Sequence, residues 1–129
     1  MNNKIYQVNA SQSFDETIER IKAQAASHSF RVLHIHDVRA TLSEKGFEIK
    51  PLKIIELCNA KYANTALQVD ITVSLLMPCR INVYVNENGE VIISTIRPTN
   101  LSKTFENPHL ESFSTHVETD LIEIIEASK

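Results

Sequence analysis

Two apolar stretches, residues 79–86 and 91–97, flank the dipeptide Asn88-Gly89. An Asn-Gly pair between two such stretches predicts a β-hairpin with a type I′ turn, because both central residues of that turn need positive φ angles. The hairpin is the strongest constraint on the fold, since it requires two adjacent antiparallel strands. It therefore favours a largely antiparallel sheet.

Apolar residues at helical spacing predict a long first helix. Ser13 begins it, since its hydroxyl can cap the amide of Glu16 while the Glu16 side chain reaches back, as in a capping box. The helix is expected to end near His28. Its apolar stripe consists of Phe14, Ile18, Ile21 and Ala25.

A second long helix is predicted at the end of the chain. Asn107-Pro108 begins it, with Pro108 at the first helical position. The residues predicted to form its buried face are Leu110, Phe113, Val117, Leu121 and Ile124. The residues predicted to form its solvent side are Glu111, Glu118, Asp120, Glu123 and Glu126.

Shorter elements are predicted between these landmarks. The strands are residues 4–9, 31–37 and 53–58, and a short helix over 38–45 is closed by Gly46. Asn59 is the expected N-cap of a helix over 60–68. In the strand 31–37, alternation places Leu33 and Ile35 on one side and Val32, His34 and His36 on the other.

The predicted order of elements is β-α-β-(α)-β-α-β-β-α. This order predicts an α+β fold: a mainly antiparallel sheet of about five strands, with the two long helices packed on one face. The 129 residues fit a single domain, 1–129, and the 43% apolar content is that of a globular protein. Such a chain can bury a core without metal or disulfide staples.

Charge and hydropathy exclude several classes of partner. The net charge is −3, and the sequence has no basic patch or stripe, so no nucleic acid partner is expected. The sequence begins without a secretory signal, and its apolar runs are too short for a membrane span, so no membrane partner is expected. A cytoplasmic location is therefore expected, with both cysteines reduced.

Sequence-local catalytic motifs are missing. The two glycines, Gly46 and Gly89, are isolated, which excludes phosphate-binding and dinucleotide-binding loops. There is no H-E-x-x-H, G-x-S-x-G or C-x-x-C motif. No catalytic residue is assigned, and a site assembled from distant residues is still open.

The two cysteines, Cys58 and Cys79, are the candidate chemical groups. Cys58 directly precedes Asn59, where a helix N-terminus favours a thiolate, while Glu56 on its own side of the strand opposes a second negative charge. The alternative interpretation of Cys58 is a small buried hydrophobe. Cys79 shares its side of the strand with Ile81 and further apolar residues, which favours packing. We therefore expect Cys58 to be reactive and Cys79 inert.

Histidine and sulfur-bearing side chains are the candidate metal ligands in the sequence. Strand geometry projects His34 and His36 from one face, about 7 Å apart, which suits two ligands but offers no third. Two surface or interface histidines are the favoured interpretation. Met77 and the two cysteines are soft donors suited to Cu(I), but core packing explains Met77 better. No metal site is predicted.

Short segments spaced through residues 30–98 form a specific pattern. They are Phe30-Arg31-Val32-Leu33, Asp37-Val38, Ala40-Thr41-Leu42, Glu44-Lys45, Pro51, Ile54, Cys58-Asn59, Tyr62-Ala63, Ala66-Leu67, Leu75-Leu76, Pro78-Cys79 and Val83-Tyr84. In residues and spacing they resemble a bacterial and archaeal family of domains of unknown function, the one numbered three hundred and two. The resemblance implies a fold similar to TATA-binding-protein-like domains, often paired as a dimer. It implies no DNA binding, since fold does not fix function.

Three hypotheses for function follow. The first is a homodimeric binding module for a small ligand (a sulfur species, a soft metal or a cofactor) near Cys58, Asn59 and Cys79. The second is a thiol-dependent enzyme or sulfur carrier that uses Cys58. The third is a structural or protein-interaction domain. If the strand face with His34 and His36 is the dimer interface, the dimer should weaken as the pH falls through the histidine range.

Overall fold

A computed structural model describes residues 3–129. Its five strands are β1 (Ile5–Ala10), β2 (Arg31–Asp37), β3 (Leu52–Cys58), β4 (Cys79–Val85) and β5 (Val91–Ile96). They form one sheet in the order β1-β5-β4-β3-β2, with every neighbouring pair antiparallel. The α+β fold and the antiparallel sheet predicted from the sequence are therefore confirmed.

The helices are α1 (Phe14–Ser27), α2 (Val38–Ser43), α3 (Ala60–Val69), α4 (Pro98–Ser102) and α5 (Glu111–Ser128). Single 3₁₀ helices span Ile71–Leu76, Lys103–Phe105 and Pro108–Leu110. The two long helices, α1 and α5, pack against each other and cover one face of the sheet. The last helix begins as a 3₁₀ turn at Pro108 and becomes an α-helix only at Glu111.

Helix starts follow the predicted capping residues. The Ser13 hydroxyl accepts a hydrogen bond of 3.1 Å from the Glu16 amide. The Asn59 side chain accepts one of 3.1 Å from the Tyr62 amide. Each cap satisfies a backbone N–H that has no partner within its helix. The Glu16 side chain pairs with Arg20 at 3.6 Å, so only one half of the expected capping box forms.

The core lies between the sheet and the two long helices. Ile55, Leu57, Ile81, Val83 and Ile93 enter it from the central strands. Ile18 and Ile21 of α1 and Val117, Leu121 and Ile124 of α5 meet them, all buried. The apolar stripes predicted for both helices are confirmed.

Strand β2 contains an irregularity that the alternation pattern missed. The register pairs Val32 with Leu57 and Ile35 with Ile55, and it shifts between Val32 and His34. Val32 and Ile35 therefore both pack against the core, while Leu33 is 52% exposed. The predicted sidedness of Val32 and Leu33 is wrong because an extra residue in one strand reverses the alternation beyond it.

The hairpin turn also differs from its prediction. Gly89 has a φ of 79°, but Asn88 does not lie in the positive-φ region, so the turn is not type I′. The Asn86 side chain instead accepts hydrogen bonds from the Asn88 and Glu90 amides, at 3.0 and 2.9 Å. A longer loop stabilised by an asparagine needs the left-handed conformation only at the glycine.

The face of the sheet opposite α1 and α5 is called here the open face. Side chains alternate between the two faces, and the residues that the register places on the open face include His34, His36, Glu56, Arg80, Asn82, Tyr84 and Ser94. His34 and His36 do share this face, with their rings edge to face at 4.3 Å. The same face also carries Ile5, Ile54, Ile92 and Ile96, so it is mixed in character and carries both signs of charge.

Candidate ligand-binding cavity

Strands β4 and β5 pair over only part of their length. Their ladder runs from Val85 opposite Val91 to Asn82 opposite Ser94 and then stops. The flanking ladders continue beyond this point, with Leu57 of β3 opposite Cys79 of β4. A gap therefore opens inside the sheet. The Thr95 hydroxyl donates a hydrogen bond of 2.7 Å to the Arg80 carbonyl oxygen in this region.

A cavity of about 340 Å³ lies at this gap. Its lining includes residues from both faces of the sheet, such as Cys79 and Thr95 on the helix face and Arg80 and Ser94 on the open face. On the helix side, its walls come mainly from apolar and aromatic residues, among them Phe30, Val73, Leu76, Met77, Leu101 and Phe113. An apolar cavity with a few polar groups is the usual form of a small-molecule site, and this volume lies at the lower end of the range for such sites, about 300–1,000 Å³.

Helix α4 forms part of the wall and is fixed to α5 by a carboxylate. The Thr99 amide and hydroxyl both donate to one oxygen of Glu118, at 3.1 and 2.6 Å. Arg97 lies 3.4 Å from the other oxygen. Glu118 is only 17% exposed, so its predicted place on the solvent side is wrong. A half-buried carboxylate is tolerated here because three donors satisfy it.

A second carboxylate of α5 positions an aromatic wall residue. The Tyr62 hydroxyl donates a hydrogen bond of 2.7 Å to Asp120. This hydrogen bond raises the pKa of Tyr62, and burial adds to the rise. Tyr62 also contacts Phe113 edge to face, with ring centroids 5.9 Å apart. Asp120 is half-buried rather than fully exposed, which corrects its predicted solvent position as well.

All three residues that the sequence marked as ligand-binding, Cys58, Asn59 and Cys79, line this cavity. They meet there because β3 ends next to the start of β4, with Leu57 opposite Cys79. Burial raises the pKa of the Cys79 thiol to about 11, and the neighbouring Cys58 adds to the rise. Both cysteines are free thiols. The Met77 side chain belongs to the same wall.

The environment of Cys58 differs from that of Cys79. The register places Arg31 of β2 directly opposite Cys58, and Cys58 shares the open face with Glu56. Helix α3 begins two residues after Cys58, behind the cap Asn59. These neighbours distinguish Cys58 from Cys79, which packs against the hydrophobic core.

The histidines do not complete a metal site. Within residues 3–129, no cluster of three or more His, Cys, Asp or Glu side chains has the arrangement to hold a metal ion. His36 lies 3.7 Å from Glu56 instead, in an ion pair that forms when the imidazole is protonated. Over the same residues, no helix combines the length and the apolar character needed to cross a membrane.

Sequence reasoning missed Arg80, Asn82, Ser94 and Thr95 as lining residues. The sequence gives no indication of a cavity at these residues, because a hairpin of this kind is expected to pair along its whole length. Only the structure shows that polar side chains of two strands border a cavity.

The sheet, the two covering helices and the cavity define a small α+β domain with a ligand-sized site. The family described as Domain of unknown function DUF302 matches residues 6–128, and the chain belongs to this family, as the sequence resemblance predicted. The crystal structure of the uncharacterized conserved protein DUF302 from Bacillus stearothermophilus is similar to the chain, with 30% identity and a TM-score of 0.94. That match covers 99% of this chain and 100% of the other. No curated protein matches the sequence.

Proposed function

We propose that the protein is a binding module for a small organic ligand with a largely apolar body, held in the cavity beside Cys58, Asn59 and Cys79. The observation that carries the proposal is the 340 Å³ cavity at the gap between β4 and β5. Well-packed cores contain few voids larger than a water molecule, so an apolar cavity of this size has a cost in stability. A bound apolar ligand offsets that cost.

The lining favours an organic ligand over a bare metal ion. Most wall residues are aliphatic or aromatic, and such residues supply dispersion contacts and burial rather than metal ligands. Tyr62 and Phe113 present an aromatic pair on one wall, which suits a planar or branched ligand body. Three sulfur-bearing side chains, Cys58, Met77 and Cys79, add soft, polarisable contacts.

The test is a fluorescence titration with N-phenyl-naphthylamine, a neutral apolar dye that brightens out of water. We expect saturable binding of one dye per chain. Ala63 lines the cavity, so Ala63→Leu should fill part of it and weaken dye binding at least tenfold. The matched control on the same helix is Ala60→Leu, which is exposed and should bind like the parent protein. Absence of saturable binding to the parent protein overturns the proposal.

A second candidate function is a thiol-dependent enzyme or sulfur carrier that uses Cys58. The observation that favours it is the placement of Cys58 opposite Arg31 and directly before the N-terminus of α3. A free thiol that lines a cavity can attack an electrophilic ligand held there. The labelling experiment described in the Discussion tests this candidate.

A further inference from the structure

The charges around the cavity are unevenly distributed. Among the described residues that line it, Arg80 is the single Lys or Arg, and no Asp or Glu is present. The chain as a whole has more acidic than basic residues, 16 against 13, so the lining departs from the overall charge balance. The wall is therefore apolar with one fixed positive charge.

Arg80 is placed where a ligand could reach both the cavity and solvent. It belongs to the part of β4 that no longer pairs with β5, and the register puts its side chain on the open face. Asn82 and Ser94 also line the cavity from this face. These two side chains add neutral hydrogen-bonding groups beside the guanidinium. Ile5, Ile96 and Cys58 line the cavity from the same face, so this end is mixed in character, and Arg80 is the charged group among its described lining residues.

The existing partner of Arg80 does not prevent it from binding a ligand. Glu56 lies 3.8 Å away, and the Arg80 side chain is 56% exposed. A pair this long and this exposed contributes little, so a ligand anion can share or replace it at low cost. Glu56 also has His36 at 3.7 Å as a second partner. A carboxylate or sulfonate at Arg80 gains charge-assisted hydrogen bonds from a planar, permanently charged donor.

We infer that the cavity selects an organic monoanion, a carboxylate or sulfonate, with its apolar body between the sheet and α5 and its anionic group at Arg80. The inference rests on the proposed function and names the ligand class of the same site. A cation is disfavoured because it meets Arg80 without a compensating carboxylate in the lining. A purely apolar ligand brings no group that can bind the Arg80 guanidinium.

A matched pair of dyes tests the charge preference. Anilinonaphthalene sulfonate has the ring system of N-phenyl-naphthylamine plus one sulfonate group. We expect the sulfonate to bind the parent protein more tightly than the neutral dye. Arg80→Gln should weaken sulfonate binding about tenfold and leave neutral-dye binding within twofold. Arg20→Gln is the control, because Arg20 carries the same charge on helix α1 and does not line the cavity.

A second variant, Glu56→Gln, is expected to raise the affinity for the sulfonate dye instead of lowering it. Glu56→Gln removes the carboxylate beside Arg80 and should tighten sulfonate binding without changing neutral-dye binding. Equal binding of both dyes to the parent protein, or equal losses of both in Arg80→Gln, overturns the charge preference and leaves the binding function standing. If neither dye binds, both the preference and the proposed function are wrong.

Discussion

Thr95 donates its hydroxyl hydrogen to the carbonyl oxygen of Arg80, at 2.7 Å, where the backbones of β4 and β5 no longer pair. A side chain thus supplies a bond that a strand neighbour supplies elsewhere in the sheet. The side chain of Thr95 is nearly buried, at 8% exposure. The hydroxyl stabilises the edge of the cavity without closing the gap.

Thr95→Val tests this role. The change keeps the shape of the side chain but removes the donor, leaving a carbonyl oxygen without its partner. We expect a loss of about 1–3 kcal/mol in the free energy of unfolding, measured by urea titration. Thr95→Ser keeps the hydroxyl and should recover most of that loss. Equal stability of the valine variant and the parent would show that water satisfies the carbonyl equally well.

Leu121 is the central test of how α5 packs. It is 1% exposed within the core, so Leu121→Ala should cost about 2–5 kcal/mol. His116→Ala, on the exposed side of the same helix, should change stability by less than about 0.5 kcal/mol. Urea melts of the two variants compare these effects. A loss below about 0.5 kcal/mol for the leucine variant contradicts the packing described.

Much of the fold was predictable because it depends on local chemistry. Asn59 caps α3 as predicted, since a side-chain oxygen next to a free amide is a short-range relation. The apolar stripe through Leu121 follows from helical spacing alone. The bulge after Val32 was not predictable, because alternation carries no sign of an inserted residue.

The site was predictable only in part, for a different reason. Cys58 and Cys79 drew attention as thiols at strand ends, and both line the cavity. Glu118 gave no such signal, since acidic residues on a terminal helix usually face solvent. Its three donors come from residues 97 and 99, which the fold brings alongside α5. Contacts between residues this far apart in the sequence leave no periodic pattern from which they could be predicted.

Glu118 is expected to hold α4 in place against α5, since it accepts hydrogen bonds from Thr99 and pairs with Arg97. Glu118→Ala leaves the Thr99 donors and Arg97 without their acceptor and should cost about 1.5–3 kcal/mol. Glu118→Gln keeps one oxygen as an acceptor and should cost less. Hydrogen exchange at the Thr99 amide reports the effect locally and should accelerate in the alanine variant. Unchanged exchange at that amide would mean that α4 is held by its other contacts.

The two thiols should differ in labelling rate. With its pKa near 11, Cys79 is almost wholly protonated at pH 8 and should alkylate about a hundredfold more slowly in the native protein than in urea. Cys58 should label faster in the native state. Iodoacetamide labelling with peptide mapping measures each site, using Cys58→Ser and Cys79→Ser as controls. Faster labelling of Cys79 reverses the ordering, and equally slow labelling of both removes the nucleophile from the enzyme hypothesis.

Cys79 should also affect the pH dependence of stability. Its thiol has a pKa of about 8.5 when unfolded and about 11 when folded, so the native state holds the proton more tightly. The resulting stabilisation is complete below about pH 8.5 and is lost as the pH rises towards 11. Urea titrations at several pH values across this range measure the free energy of unfolding. It should fall less steeply with pH for Cys79→Ala than for the parent protein. The same pH dependence of the free energy of unfolding in both proteins would contradict the raised pKa of Cys79.

We propose that the chain pairs as a homodimer through the β2 part of the open face, which carries His34 and His36 and leaves the cavity accessible, and that acid weakens the pair. His34 and His36 gain positive charge as the pH falls and add to the charges of Arg31 and Arg80, while Glu56 offsets part of the repulsion. Sedimentation velocity over a range of pH measures the effect. The double variant with His34→Gln and His36→Gln should lose the pH dependence. A monomer at every concentration and pH contradicts the proposal.

Because the ladder between β4 and β5 is short, the sheet consists of two ribbons that are only partly joined. Strands β2, β3 and β4 form one ribbon, and β1 with β5 forms another. The two ribbons are joined by four residue pairs next to the hairpin and, beyond them, by the Thr95–Arg80 hydrogen bond. The cavity lies at the end of the sheet where this backbone pairing is missing. Asn82 and Ser94, the last residue pair of the ladder, line the cavity themselves. A substitution that shifts the register of the hairpin therefore also moves two side chains of the cavity wall.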